Sequence, residues 1–256
     1  MHRYFLNEEI NQNFILAADN ENYHHLARVL RAKVGTKAEF VASNQRLVVG
    51  QVSSLTDAEA QIEVIEDLDQ QVELPVAVTI VVSPVKNDRT DWLVQKATEL
   101  GVSRIILAKM ERTVVDWGKQ NEKRLTRLNK IAKNAAEQSH RLLIPSIELT
   151  TWQEVLALTK NQGIVAWEES AKQGETATLV EVAQGTMMGD NFVAVFGPEG
   201  GLSEKEISEL AAADYRPAGL GPRILRAETA PLYLLAGLST LLELQQSGNK
   251  DINTGK

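Results

Sequence analysis

Two short segments hold the residue types and spacings that could do chemistry. The first, Gly197-Pro198-Glu199-Gly200-Gly201, follows the apolar run Phe192-Val193-Ala194-Val195-Phe196 and precedes Ser203-Glu204-Lys205-Glu206. Glycines this dense let the main chain turn tightly and present bare N–H groups to a ligand. Ser203 and Glu206 stand at capping-box spacing, which predicts a helix starting there. The spacing is neither Gly-x-Gly-x-x-Gly nor a phosphate loop ending in Gly-Lys-Ser/Thr, so nucleotide-phosphate chemistry is disfavoured. A glycine-rich turn can also serve the fold alone, and a functional reading needs a partner segment.

That partner is Leu220-Gly221-Pro222-Arg223-Ile224-Leu225-Arg226-Ala227-Glu228-Thr229-Ala230-Pro231. It sets two arginines and a glutamate just before Leu232, Leu234, Leu235, Leu238, Leu241 and Leu242, a helix over 230–246 apolar enough to require burial. Charged side chains held at a buried junction have a partner or a task. His24 and His25 suit packing or RNA contact better than metal ligation, and His140, beside Arg141 at the end of the basic helix, suits the helix dipole better than a catalytic role.

The elements that must position these segments fall into two patterns. Residues 1–72 read as short strands (4–6, 14–17, 38–42, 46–52 and 60–65) around one helix at 22–32, a small partly closed barrel. An acidic, Gln-rich stretch at 66–73 leads to Pro75 and marks the boundary. From 73 to 256 strands alternate with longer helices, which predicts an α/β domain with a mostly parallel sheet and helices on both faces. The expected strands are 76–82, 104–108, 163–167 and 192–196. The expected helices are 89–100, stopped by Gly101, then 120–140, 203–213 and 230–246.

The chain has 256 residues and no Cys, which excludes disulfide frameworks, thiolate catalysis and Cys-containing metal sites. No apolar run approaches membrane-spanning length and the start lacks a signal-peptide pattern, so a cytoplasmic protein is expected. A net charge of −7 argues against coating nucleic acid through global charge. Between Lys109 and Arg141, however, nine basic residues face four acidic ones. Lys123, Arg127 and Lys130 share one helical face there, with Arg112 and Arg141 nearby, and Arg28 and Arg31 add charge on the barrel. A solvated helix face is the alternative.

Five ordered stretches carry a resemblance to a known family: the opening Arg3-x-Phe5 with His25-Leu26-x-x-Val29-Leu30-Arg31; residues 91–101; Ala135-Ala136-Glu137-Gln138-Ser139-x-Arg141; residues 197–201; and residues 220–230. Together they resemble the ribosomal RNA small subunit methyltransferase E family, of the SPOUT class of knotted methyltransferases. The resemblance implies a PUA-like RNA-binding barrel and a deep trefoil knot at about 163–246, an exception to the rule against threaded loops. It implies S-adenosylmethionine as cofactor with no metal, held by Trp167, Phe196, Gly197, Pro198, Glu199, Gly200, Gly201, Leu220, Gly221, Ile224, Leu225, Arg226, Thr229 and Ala230. The expected reaction is methyl transfer to N3 of a uridine in 16S ribosomal RNA, free or within the small subunit, by a homodimer.

Arg226, Glu199 and Glu228 are the catalytic candidates, an arginine suiting the uracil anion better than either carboxylate suits the base. Arg3, Arg28, Arg31, Arg112, Lys123, Arg127, Lys130 and Arg141 are the expected RNA contacts. Asn134 stands where the family more often has an acidic residue, so no catalytic role is expected there. A knotted ribose 2′-O-methyltransferase would share Gly-Pro-Glu-x-Gly but carry a Ser-Leu-Asn-type segment in place of residues 224–229. A non-catalytic assembly factor would not need both loops intact.

Overall fold

The computed structural model describes residues 1–86, 88–172, 174–175 and 177–244. The described chain forms two compact units, residues 1–73 with 136–143, and residues 74–135 with 144–244. Sequence reading left 136–143 to the second domain.

In the first unit, strands β1 (Arg3–Phe5), β2 (Asn13–Ala17), β3 (Lys37–Val41), β4 (Leu47–Leu55) and β5 (Glu59–Leu68) form one sheet in the order β1-β3-β4-β5-β2. β1 runs parallel to β3 and the other pairs are antiparallel. Leu16, Leu26, Phe40 and Ile62 fill its core. Gly50 is required there, because a Cβ would lie 2.4 Å from Ile62 Cγ2 and 2.8 Å from Phe40 Cε2. The helix expected at 22–32 is one α turn, α1 (Glu21–Tyr23), continued as a π-helix over His24–Val29. Arg31, at φ +52°, stops it. β5 extends into the acidic stretch, which is strand as far as Leu68.

In the second unit, strands β6 (Ala77–Val82), β7 (Arg104–Ala108), β8 (Ser146–Thr150), β9 (Gln162–Ala166), β10 (Asn191–Phe196) and β11 (Arg216–Ala218) form an all-parallel sheet ordered β11-β9-β10-β6-β7-β8. Buried β-branched runs such as Val78, Ile80 and Val82 of β6 suit a sheet covered on both faces. The helices are α2 (Arg89–Glu99), α3 (Asn121–Gln138), α4 (Trp152–Leu156), α5 (Glu168–Lys172), α6 (Thr178–Gln184), α7 (Glu204–Ala212) and α8 (Ala230–Ser239). β8, α4, α5, α6 and β11 went unread in the sequence.

α8 buries Pro231, Leu234, Leu235 and Leu238 against the core and continues as a π-helix over Thr240–Leu244. Tyr233, Ala236, Thr240 and Leu244 face solvent, so its burial is one-sided. Gln245 and Gln246 of the expected helix lie outside the described residues. No described helix is long and apolar enough to cross a membrane.

Candidate functional site

The carboxyl ends of five parallel strands converge on one cavity of about 420 Å³, where an open α/β sheet places its ligands. β9 delivers Ala166, Trp167 and Glu168; β10 delivers residues 196–199, 201 and 202; β11 leads to residues 220–228 and 230. Arg112 reaches it from beyond β7, and Arg89 from the first turn of α2, which follows β6. Its walls mix apolar side chains (Phe196, Leu202, Leu220, Ile224, Leu225) with four arginines and three glutamates, a lining suited to a ligand both apolar and charged.

The glycine loop is held from below. Gly201, at φ +71°, closes a turn by donating its N–H to Pro198 O at 2.9 Å. Ser203 caps α7, and Glu206 returns to the Ser203 N–H at 2.8 Å, completing the capping box. Buried Glu206 uses its other oxygen to accept the Glu111 N–H at 2.8 Å. That fixes the turn carrying Arg112, whose guanidinium donates to Gly200 O at 3.0 Å. The second loop is pinned where Glu175 accepts the Gly219 N–H at 2.7 Å, and also those of Ala177 and Thr178. These backbone donors hold the Glu175 carboxyl below its ordinary range although burial opposes them.

Of the expected cofactor contacts, all line this cavity except Gly200 and Thr229. Gly200 turns the other way: a Cβ there would sit 3.1 Å from Arg112 Cβ, so its smallness accommodates the arginine. Thr229 borders an adjoining cavity with Asp88, Arg89, Trp92 and Glu228. Arg226 is largely exposed and Glu199 is exposed, whereas Glu228 is 7 % exposed. Arg89 Nε lies 3.6 Å from Glu228 Oε1 and Arg226 Nη1 lies 4.0 Å from the same oxygen. Glu228 Oε2 is buried and has no hydrogen-bond partner among the described residues.

Sequence reasoning missed Arg89, since its only signal was position at a helix start after a buried strand.

Two expected RNA contacts are corrected. The Arg3 side chain is fully buried; it donates to Glu39 Oε2 at 2.8 Å, Gln70 Oε1 at 2.9 Å and Arg141 O at 3.2 Å, and also to His140 O. Arg141 is 3 % exposed and pairs with Glu73. Both cations are held inside the first unit and cannot meet phosphate. His140, at φ +56°, places Nδ1 3.0 Å from Glu39 Oε2, and His25 Nδ1 lies 2.9 Å from the Tyr4 hydroxyl. Burial pushes the Tyr4 phenol above its ordinary range, and the charge of Glu137 adds to this.

The other basic candidates are exposed; among the described pairs, Arg28 meets Asp57 at 2.9 Å and Arg127 meets Asp91 at 2.7 Å. No cluster of three metal-ligating side chains occurs among the described residues.

This architecture defines an RNA methyltransferase of two parts: residues 72–239 match the RNA methyltransferase domain model, and residues 18–65 match the RNA methyltransferase PUA domain model. Ribosomal RNA small subunit methyltransferase E of Bacillus subtilis is 36 % identical over 95 % of this chain and 98 % of its own length. The Synechocystis protein of that name is 32 % identical over 86 % of this chain and 71 % of its own. A crystal structure of the Neisseria gonorrhoeae enzyme of that name, bound to S-adenosyl methionine, superposes with a TM-score of 0.80 at 28 % identity, covering 94 % of this chain and 98 % of that one. The chain belongs to the ribosomal RNA small subunit methyltransferase E family.

Proposed function

We propose that this chain transfers the methyl group of S-adenosylmethionine to N3 of a uridine in 16S ribosomal RNA. Membership of the family supports the reaction class, and the Neisseria complex supports the cofactor. The observation that carries the site assignment is the cavity itself, where both predicted loops meet at the carboxyl ends of the sheet. Its residues fit the cofactor: Phe196, Leu202, Leu220, Ile224 and Leu225 offer apolar walls, the glycine turn offers main-chain donors, and Glu168, Glu199 and Glu228 offer carboxylates to a cationic ligand. When bound, S-adenosylmethionine supplies an electrophilic methyl carbon on a sulfonium, chemistry for which no metal is needed.

The protein's part is to bind, orient and manage one proton. N3 of uracil becomes nucleophilic only on losing its proton, which puts negative charge on O2 and O4. Arg226 lines the cavity and is exposed; in this reading it holds that charge with a planar two-point contact. Glu199 and Glu228 are the available carboxylates. Arg28, Arg31, Lys123, Arg127 and Lys130 form the remaining candidate RNA contacts, with Arg112 shared between the loop strap and the cavity.

The order β11-β9-β10-β6, with β10 and β11 flanking β9 and the chain then entering α8, fits the knotted SPOUT topology. The solvent-facing stripe Tyr233, Ala236, Thr240 and Leu244 fits a homodimer contact. A cytoplasmic location fits a ribosomal substrate.

The test supplies methyl-labelled cofactor with naked 16S RNA and with small subunits from cells lacking the protein, then identifies the modified nucleoside. N3-methyluridine is the expected product. A ribose-methylated nucleoside, or no transfer, overturns the assignment. Calorimetry should show cofactor binding that survives chelation of divalent ions, and sedimentation a dimer at micromolar concentration.

A further inference from the structure

A second cavity, about 430 Å³ and open to solvent, adjoins the first and shares Arg89 and Glu228 with it; Asp88, Trp92 and Thr229 complete its lining. Trp92 stands on the first turns of α2, and 42 % of its surface is exposed, an unusual place for an indole that the core does not use. Aromatic faces open beside a cation are how proteins receive an unstacked base. The buried Glu228 carboxylate lies between the two cavities. Its Oε1 faces Arg89 and Arg226, while Oε2 has no donor among the described residues. A buried acceptor left unpaired is costly and persists where a ligand supplies the missing donor.

Resting on the reading of this chain as a uridine N3-methyltransferase, we propose that the second cavity seats the target base: Trp92 stacks on the pyrimidine, and Glu228 Oε2 accepts its N3–H.

The chemistry accounts for a choice between pyrimidines. Uracil presents a donor at N3, which completes the orphan oxygen. Cytosine presents a lone pair there, which the carboxylate repels. The same hydrogen bond is the path for the proton: it passes from N3 to Oε2, the electron pair stays on the ring as the uracil anion, and the neutral carboxyl later returns the proton to water. Arg89 and Arg226 face the other carboxylate oxygen, so both cations remain close to the ring that becomes anionic.

The experiment has one arm without the methyl donor and one with it. Without donor, a short single-stranded RNA containing the target uridine should quench tryptophan fluorescence. Trp92→Ala should weaken binding by roughly 5- to 150-fold, the range of one lost base stack. Trp92→Phe should recover most of that affinity and remove the quench. With donor, Glu228→Gln, nearly isosteric, should lower kcat by about 100-fold or more at little change in RNA affinity. RNA carrying 5-fluorouridine at the target, whose N3 proton is more acidic, should restore at least about tenfold of the loss in Glu228→Gln while changing the unsubstituted enzyme little.

Equal losses on both RNAs, or an unchanged kcat, overturn the role of Glu228. Unchanged RNA binding in Trp92→Ala, particularly with a shift from dimer to monomer in sedimentation, makes the indole a subunit contact and overturns the base site. Failure of the unsubstituted enzyme to methylate any uridine removes the underlying reading instead.

Discussion

Replacing Arg3 with methionine should damage the first unit and leave RNA affinity alone. The guanidinium is fully buried and donates to Glu39, Gln70 and the carbonyls of His140 and Arg141; the Glu39 side chain is 11 % exposed. Methionine keeps the volume but leaves the Glu39 carboxylate with the His140 imidazole and no guanidinium, and removing one partner of a buried pair costs up to about 3–5 kcal/mol. At 1.36 kcal/mol per decade that is roughly two to four orders of magnitude. The β3 and β4 amides, whose pairing includes Phe40 with Val48, should lose hydrogen-exchange protection by that factor. The double variant Arg3→Met/Glu39→Leu should recover most of the loss, since buried ion pairs replaced by apolar side chains are often neutral. Recovery should stop short by about 1–2 kcal/mol, because carbonyls at 140 and 141 still lack their donor. An Arg3→Met protein with unchanged protection and a weaker salt dependence of RNA binding would refute the argument and return Arg3 to the RNA surface.

Arg226→Ala should keep stability and cofactor affinity near normal, the side chain being 72 % exposed, while kcat falls about 100- to 1,000-fold, as for one lost anion-stabilising donor; lost cofactor binding with normal turnover at saturation would make its role structural. Gly200→Val should strain the Arg112 strap, 3.1 Å from the new Cβ, and cost about 1–3 kcal/mol in thermal unfolding, with Arg112→Ala partly relieving it. Neutralising Arg31, Lys123, Arg127 or Lys130 should each lower the salt slope of RNA binding by roughly one unit, and Arg141→Met by none. Burial pushes the Tyr215 phenol up to about 12 from 10.0, so its contribution to stability is complete below pH 10 and is lost as pH rises toward 12; ultraviolet titration should show this ionisation as late, and its absence in Tyr215→Phe.

How far the sequence could be read differed between loops and charges. Both site loops were legible because glycine density, a capping box and charges ahead of an apolar helix are local signals, and the structure brings them to one cavity. β11 was not legible: it is a three-residue strand containing Pro217, tolerated because it lies at the sheet's edge. The charge run was read too generously, since composition cannot tell Lys123, which is exposed, from Arg141, which is buried on Glu73. Arg89, read as a helix start, and Trp92, read only as part of the 91–101 stretch, were not assigned to the site because helix periodicity explains their spacing equally well, and only the fold sets them beside Glu228.

The split composition of the first unit sets the order in which it can be completed during synthesis. Arg3 emerges from the ribosome well before two of its acceptors, which lie 137 and 138 residues later in the chain. At translation rates of about 5–20 residues per second, the nascent unit waits roughly 7–30 s before that cation can be satisfied. Until then Glu39 and Gln70 are its sole described partners within residues 1–73. The nascent sheet should therefore stay open to proteases and chaperones until residues 136–143 arrive, and a fragment ending at Glu73 should remain in that waiting state.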